Sequence, residues 1–259
     1  MFDHGRGFDL LAPYRAERFR VIALDARGHG DSEWADAYPW ASDLLDIANL
    51  LESLGRPAHL VAHSRGGGQA TDAAVRCPEQ VRQVVNLDGF GPPPEGFEMP
   101  SPDGRAQTPP ERLATFLDWR RRAAQHRERR AHATLDDLVE NRRRQNPRLS
   151  PEWLRYFQFL GARRSERGWT LKVDPHAGRG TGPWSPEWIA PGWRELRAPL
   201  LAVIGSEPDT WGPLPEPILR SRLAFVPRVT RAVVQDAGHF MHIEQPERTA
   251  RLVLDFLER

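Results

Sequence analysis

The chain has 259 residues, a formal net charge of +1 and a mean hydropathy of −0.59. This length suits one α/β domain carrying an insertion and is enough to bury a sizeable core. The near-neutral balance leaves no electrostatic footprint for nucleic acid or an acidic membrane surface.

No apolar run approaches the roughly 20 residues of a membrane span. The first residues, Met1-Phe2-Asp3-His4-Gly5, lack the basic and apolar regions of a signal peptide. A cytoplasmic setting is therefore expected. Cys77 is the only cysteine, which removes a disulfide framework and a thiolate metal site from consideration. No metal and no cofactor are expected, and the partner is a small-molecule substrate. Lys172 is the only lysine among 36 basic residues.

Residues 10–18 read as a short helix interrupted by Pro13, and 19–24 (Phe-Arg-Val-Ile-Ala-Leu) as an apolar strand. A turn follows over 25–32, with Gly28 and Gly30 supplying positive φ and His29 bonded to backbone. Leu44, Ile47, Ala48, Leu51 and Leu54 share one helical face, and Gly55 ends that helix. Leu60-Val61-Ala62 is a strand that turns sharply through His63-Ser64-Arg65-Gly66-Gly67 into a helix reaching Val75. A serine hydroxyl becomes a useful nucleophile when a strained strand-to-helix turn exposes it beside a base. Ala62 and Gly66, two residues to either side, are small enough for the chain to fold back there. The Arg65 N–H, at the start of the helix, is placed to donate to an oxyanion. The next strand, 81–87, ends at Asp88-Gly89. Alternation of strand and helix predicts a doubly wound, mostly parallel sheet.

From Gly91-Pro92-Pro93-Pro94 the rhythm changes. Helices are expected over 111–125, 135–145 and 151–161, with one strand fragment over 169–173. Six of the nine tryptophans fall between Trp119 and Trp193, most of them as packing anchors. The sheet resumes with 199–205, whose end carries Ser206-Glu207-Pro208-Asp209. A last strand over 230–234 leads to Ala237-Gly238-His239-Phe240, and a final helix covers 246–257. The division expected is core 1–91, helical insertion 92–193 and core 194–259.

In parallel sheets, active groups gather at the C-terminal ends of strands. Ser64, Asp209 and His239 each sit at such an end, in the order serine, acid, histidine. An imidazole takes the serine proton while a carboxylate fixes its tautomer.

With these pieces the chain resembles the α/β-hydrolase fold, in particular its capped serine-dependent members related to serine hydrolase-like proteins. The matching segments are Asp25-Ala26-Arg27-Gly28-His29-Gly30-Asp31-Ser32, Ala62-His63-Ser64-Arg65-Gly66-Gly67, Gly205-Ser206-Glu207-Pro208-Asp209 and Ala237-Gly238-His239-Phe240. The resemblance implies nucleophile Ser64, acid Asp209, base His239, one oxyanion donor from the Arg65 backbone, and a helical cap over about 92–193. Asp88 is the alternative acid, because some relatives carry the carboxylate after the preceding strand. The resemblance also implies strands before residue 19, the last of them ending in a His-Gly pair beside a second oxyanion donor. His4-Gly5 looks like that pair but follows no apolar run, so the N-terminal strands are expected to be missing and the full chain to start upstream.

The function expected is hydrolysis of a small carboxylic ester, thioester or lactone through an acyl-enzyme. Carbon–carbon bond hydrolysis by the same triad and a non-catalytic ligand-binding role are the alternatives.

Overall fold

The structure is a computed structural model and describes residues 3–16, 18–91, 109–123, 131–177 and 186–259. Short helix α1 (Pro13–Ala16) is followed by α2 (Trp40–Ser53), β1 (Ala58–His63), α3 (Arg65–Arg76) and β2 (Val81–Leu87). The insertion contributes α4 (Pro109–Ala123), α5 (Leu135–Gln145), α6 (Pro151–Leu160) and the antiparallel hairpin β3 (Ala162–Ser165) and β4 (Gly168–Leu171). After α7 (Pro186–Ile189) come β5 (Leu200–Gly205), α8 (Glu216–Leu223), β6 (Val229–Val234), α9 (Met241–Glu244) and α10 (Pro246–Leu257).

The central sheet runs β1-β2-β5-β6, all pairs parallel. Successive residues of its inner strands face opposite layers, as a strand's period of two requires. Val84, Leu200 and Ala202 join Leu51 of α2, Ala70 and Ala74 of α3, and Trp193 on one face. Val85, Leu87, Leu201 and Val203 join Leu11, Val253 and Phe256 on the other. Because both faces are covered, β5 is apolar throughout, and β2 carries Val84, Val85 and Leu87 into the two layers. The doubly wound parallel sheet expected from the sequence is thus the observed one.

Two local expectations change. Residues 19–24 carry no strand, and Val21, Ile22 and Leu24 are 43%, 43% and 46% exposed. An apolar run becomes a strand only when a neighbour completes its ladder, and among the described residues none pairs with β1 on the side away from β2. Phe19 instead packs against the core layer of Val85, Leu201 and Val253 and meets His59 edge-on at 5.7 Å between centroids. The expected fragment over 169–173 is the second arm of the β3–β4 hairpin. Helix α8 went unread because Pro215 and Pro217 mask its start. Of the insertion's tryptophans, Trp153 and Trp193 are buried anchors and Trp188 is exposed; the side chains of Trp119 and Trp184 lie outside the described residues.

The insertion is stitched to the core next to β4. Asp174 takes a hydrogen bond from the Tyr38 hydroxyl at 2.6 Å, and its N–H donates to the Gly28 carbonyl at 2.8 Å. Gly28 has φ +74°, and a Cβ there would lie 2.4 Å from the Tyr38 ring. Lys172 Nζ pairs with Asp31 at 2.7 Å across the same seam.

Fully buried Asn86 joins α3 to the turn after β2. Its Oδ1 accepts from the Gly89 N–H at 2.7 Å, and its Nδ2 donates to Thr71 Oγ1 at 3.1 Å. Asn86→Leu, which keeps the branched shape but is bulkier, strands the buried Gly89 donor and is expected to lower unfolding free energy by at least about 2–3 kcal/mol. Urea denaturation checks this, and an unmoved midpoint would show that the amide contributes nothing.

Candidate active site

β1 delivers the chain into a turn in which Ser64 has φ 55° and ψ −128°. Such a conformation costs a non-glycine residue about 1–3 kcal/mol and persists only when the surroundings enforce it. Here they do. The Ser64 N–H donates to Leu87 O at 2.9 Å, and its carbonyl accepts from Gly67 and Gly68 at 2.8 and 3.3 Å. On the outer side lies Gly89, where a Cβ would come within 2.3 Å of the Ser64 carbonyl oxygen and 2.6 Å of the Gly67 Cα. Ala62 and Gly66 also approach closely, a Cβ on Gly66 falling 3.8 Å from that of Ala62.

Helix α3 starts at Arg65, so the Arg65 N–H lies in the first turn, where no intrahelical acceptor exists. The Arg65 side chain turns away to Asp43, with Nη2 at 2.6 Å from Oδ2, and lies 5.8 Å over Trp40. Gln69 Nε2 donates to the same oxygen. Burial pushes the Asp43 carboxyl up, opposed by Arg65 and Arg27.

Asp88, directly after β2, has φ 49°. Its Oδ2 lies 2.6 Å from Nδ1 of His239, which follows β6, and both side chains are 7% exposed. Nδ1 donates and the carboxylate accepts, which leaves Nε2 as the basic nitrogen of that tautomer.

Asp209 does not hold the imidazole, contrary to the leading expectation. Its Oδ2 accepts the backbone N–H of His239 at 2.7 Å, and its Oδ1 accepts those of Trp211 and Gly212 at 2.7 and 3.0 Å. The two carboxylates follow neighbouring strands, β2 and β5. The positive φ of Asp88 accompanies a turn that delivers its side chain to the ring, whereas Asp209 is held by three main-chain N–H groups.

His4-Gly5 has another occupation as well. The His4 ring stacks on Phe157 at 4.2 Å and its Nε2 donates to the Phe157 carbonyl, while the Gly5 N–H is held by Asp25 Oδ1 at 2.6 Å. His29 is buried in its turn with Nδ1 donating to the Arg27 carbonyl at 3.0 Å, as expected. Cys77 packs half-buried against the core, and burial pushes its thiol up. Among the described residues no cluster of His, Cys, Asp and Glu could hold a metal ion, and no helix is long and apolar enough to cross a membrane.

The model of the alpha/beta hydrolase family matches residues 1–252. The chain belongs to that family. A 2-(acetamidomethylene)succinate hydrolase of Mesorhizobium japonicum is 41% identical over 83 residues, 31% of this chain and 30% of that protein. A serine hydrolase-like protein of Dictyostelium discoideum is 33% identical over 96 residues, 34% of this chain and 26% of that protein. These matches thus span less than a third of either relative's length. Among solved structures, the thioesterase domain from the curacin biosynthetic pathway superposes with a TM-score of 0.80 over 98% of this chain and 88% of that one, at 20% identity. Hydrolases and esterases are prominent among the chain's relatives and structural neighbours.

Sequence reading passed over the imidazoles behind the site. His63 lies with its ring centroid 4.5 Å from those of both His239 and His242, and its Nε2 donates to the His239 carbonyl at 2.8 Å. The i to i+3 spacing of His239 and His242 was the available signal. Burial holds the His63 imidazole well below its usual range, with His242 and His239 adding to the effect. Burial likewise brings His242 down to about 3, against a smaller opposing pull from Asp3. His242 Nδ1 is buried without a hydrogen-bond partner. Unfolded, a histidine titrates near 6.5, so between about 6.5 and 3 the unfolded chain binds the extra proton. This contribution to stability is present above pH 6.5 and lost as pH falls toward 3. His242→Leu removes it, and the slope of unfolding free energy against pH between 6 and 4 should flatten by up to about 1.4 kcal/mol per pH unit. Urea titrations at several pH values measure that slope; an unchanged slope would mean that the imidazole is protonated in the fold.

Proposed function

We propose that the chain is a serine hydrolase in which Ser64 is the nucleophile, His239 the general base and Asp88 the acid that orients it. The observation carrying this reading is the 2.6 Å contact between His239 Nδ1 and Asp88 Oδ2, at the end of the sheet where Ser64 occupies its strained turn. Asp88, the alternative acid of the sequence reading, takes the role expected of Asp209.

In this reading the substrate is a small carboxylic ester, thioester or lactone. Ser64 Oγ adds to the acyl carbon as its proton passes to His239 Nε2. The imidazolium so formed is held by Asp88 through Nδ1. The tetrahedral oxyanion is met by the Arg65 N–H and the helix start behind it. Its collapse breaks the bond to the leaving group, which takes the proton from Nε2. Water then enters with His239 again as base, releases the acid and restores Ser64. Proton count is conserved over the cycle and no cofactor takes part.

The insertion, residues 92–193, acts as a cap that shapes the substrate pocket. Support comes from Arg148, an insertion residue whose Nε donates to Glu244 at 2.6 Å while Glu244 accepts the Gly238 N–H at 3.1 Å, one residue before His239. The two relatives named above, a 2-(acetamidomethylene)succinate hydrolase and a serine hydrolase-like protein, favour hydrolysis over a purely binding role.

A fluorophosphonate probe is expected to label the wild-type chain at Ser64 and to leave Ser64→Ala unlabelled. Labelling that survives the substitution would move the nucleophile elsewhere. Asp88→Asn should lower kcat on short-chain aryl esters by about three to four orders of magnitude. Diketones included in the same panel separate ester from carbon–carbon bond cleavage. A chain that is folded yet neither labelled nor active on any of them would be a binding protein.

A further inference from the structure

We propose that Asp209 is a positioning residue, tying the loop after β5 to the main chain of His239 so that the imidazole meets Asp88 in one fixed orientation. This rests on the reading of Ser64, His239 and Asp88 above.

Among the described residues, the hydrogen bonds that Asp209 accepts on its carboxylate all come from backbone. Its two oxygens accept three N–H groups, from Trp211 at 2.7 Å, Gly212 at 3.0 Å and His239 at 2.7 Å. Its own N–H donates to the Gly212 carbonyl at 2.8 Å and closes the turn. An ionised carboxylate presents acceptors on both oxygens; an amide presents one and turns its NH2 group against a backbone donor.

Each link then bears on the imidazole. His239 is held by its N–H on Asp209 and its carbonyl on His63, which sets the backbone position from which the ring reaches Asp88. The preceding Gly238 passes so close that a Cβ there would lie 2.4 Å from Asp209 Oδ2. The closed turn also sets Gly212 against the acid, a Cβ at Gly212 falling 2.9 Å from Asp88 Oδ2. It also places the half-exposed Trp211 ring 6.5 Å from that of His239. One carboxylate thus locates the base, walls the acid and displays an aromatic beside both.

The decisive experiment follows the His239 Nδ1 proton, which a short hydrogen bond to a carboxylate carries far downfield of the amide signals in a proton NMR spectrum. It needs no substrate, so it stands even if the chain hydrolyses nothing; fluorophosphonate labelling of the wild type tests the hydrolase reading separately. In Asp209→Asn the downfield signal is expected to persist, because Asp88 is still present. Its exchange with solvent should quicken about tenfold, the equivalent of one lost hydrogen bond. Ester turnover should fall by a similar factor in kcat with KM little changed. In Asp88→Asn the signal should vanish. Loss of the signal in Asp209→Asn together with its survival in Asp88→Asn would make Asp209 the imidazole's partner and overturn the proposal. Wild-type exchange and wild-type kcat in Asp209→Asn would overturn it as well. Should that variant fail to fold, the wild type still decides: amide protons of His239, Trp211 and Gly212 exchanging as fast as an open loop would refute the carboxylate anchor.

Discussion

The site depends on how closely two turns approach at the ends of β1 and β2. Ser64 adopts a backbone conformation that it would not hold alone, and the turn through Asp88 and Gly89 presses against it with no room for a Cβ at Gly89. Asn86 maintains that pressure from below, since its amide joins the Gly89 N–H to Thr71 of the helix that Ser64 opens. The proposed nucleophile and acid are therefore parts of one packed unit. The same contact that strains the serine brings the carboxylate to the level of the imidazole.

Much of this was legible in the sequence because it follows from local rules. The serine turn announces itself by an apolar run, small flanking residues and a helix, and Gly55 ends α2 with φ 62°, as its position suggested. The acid was harder to read for a physical reason. Asp88 and Asp209 both follow parallel strands that are neighbours in the sheet, and pattern alone places a carboxylate at a strand end without saying where it points. That choice is made by backbone geometry, positive φ at Asp88 and a turn closed on itself at Asp209. Residues 19–24 failed in another way. Their composition is that of a strand, but a ladder is a property of two segments, and composition describes one.

The histidines show how tertiary placement assigns different work to identical side chains. Among His63, His239 and His242, only His239 meets a carboxylate through its ring. His63 and His242 are buried where a charge would be poorly solvated, so both remain neutral and serve as packing and as a main-chain donor. In the proposed mechanism this leaves the proton taken from Ser64 one resting place, because the low-dielectric packing behind His239 disfavours charge on the other two rings. A similar division holds for the arginines of the insertion. Arg142 reaches Asp3 and Arg148 reaches Glu244, whereas Arg143 and Arg144 make exposed local pairs with Glu140. Of these four, the first two reach residues outside the insertion.

The lone lysine gives the molecule an unusual chemical address. In most proteins amine-reactive reagents scatter over many side chains; here Lys172 is the single side-chain amine. It sits on the seam where the insertion meets the turn carrying Asp31. A fluorophore or spin label coupled at that side chain would therefore occupy one defined place, the contact between the segment after β4 and the turn carrying Asp31. Any movement of one against the other would become a change in the label's own mobility.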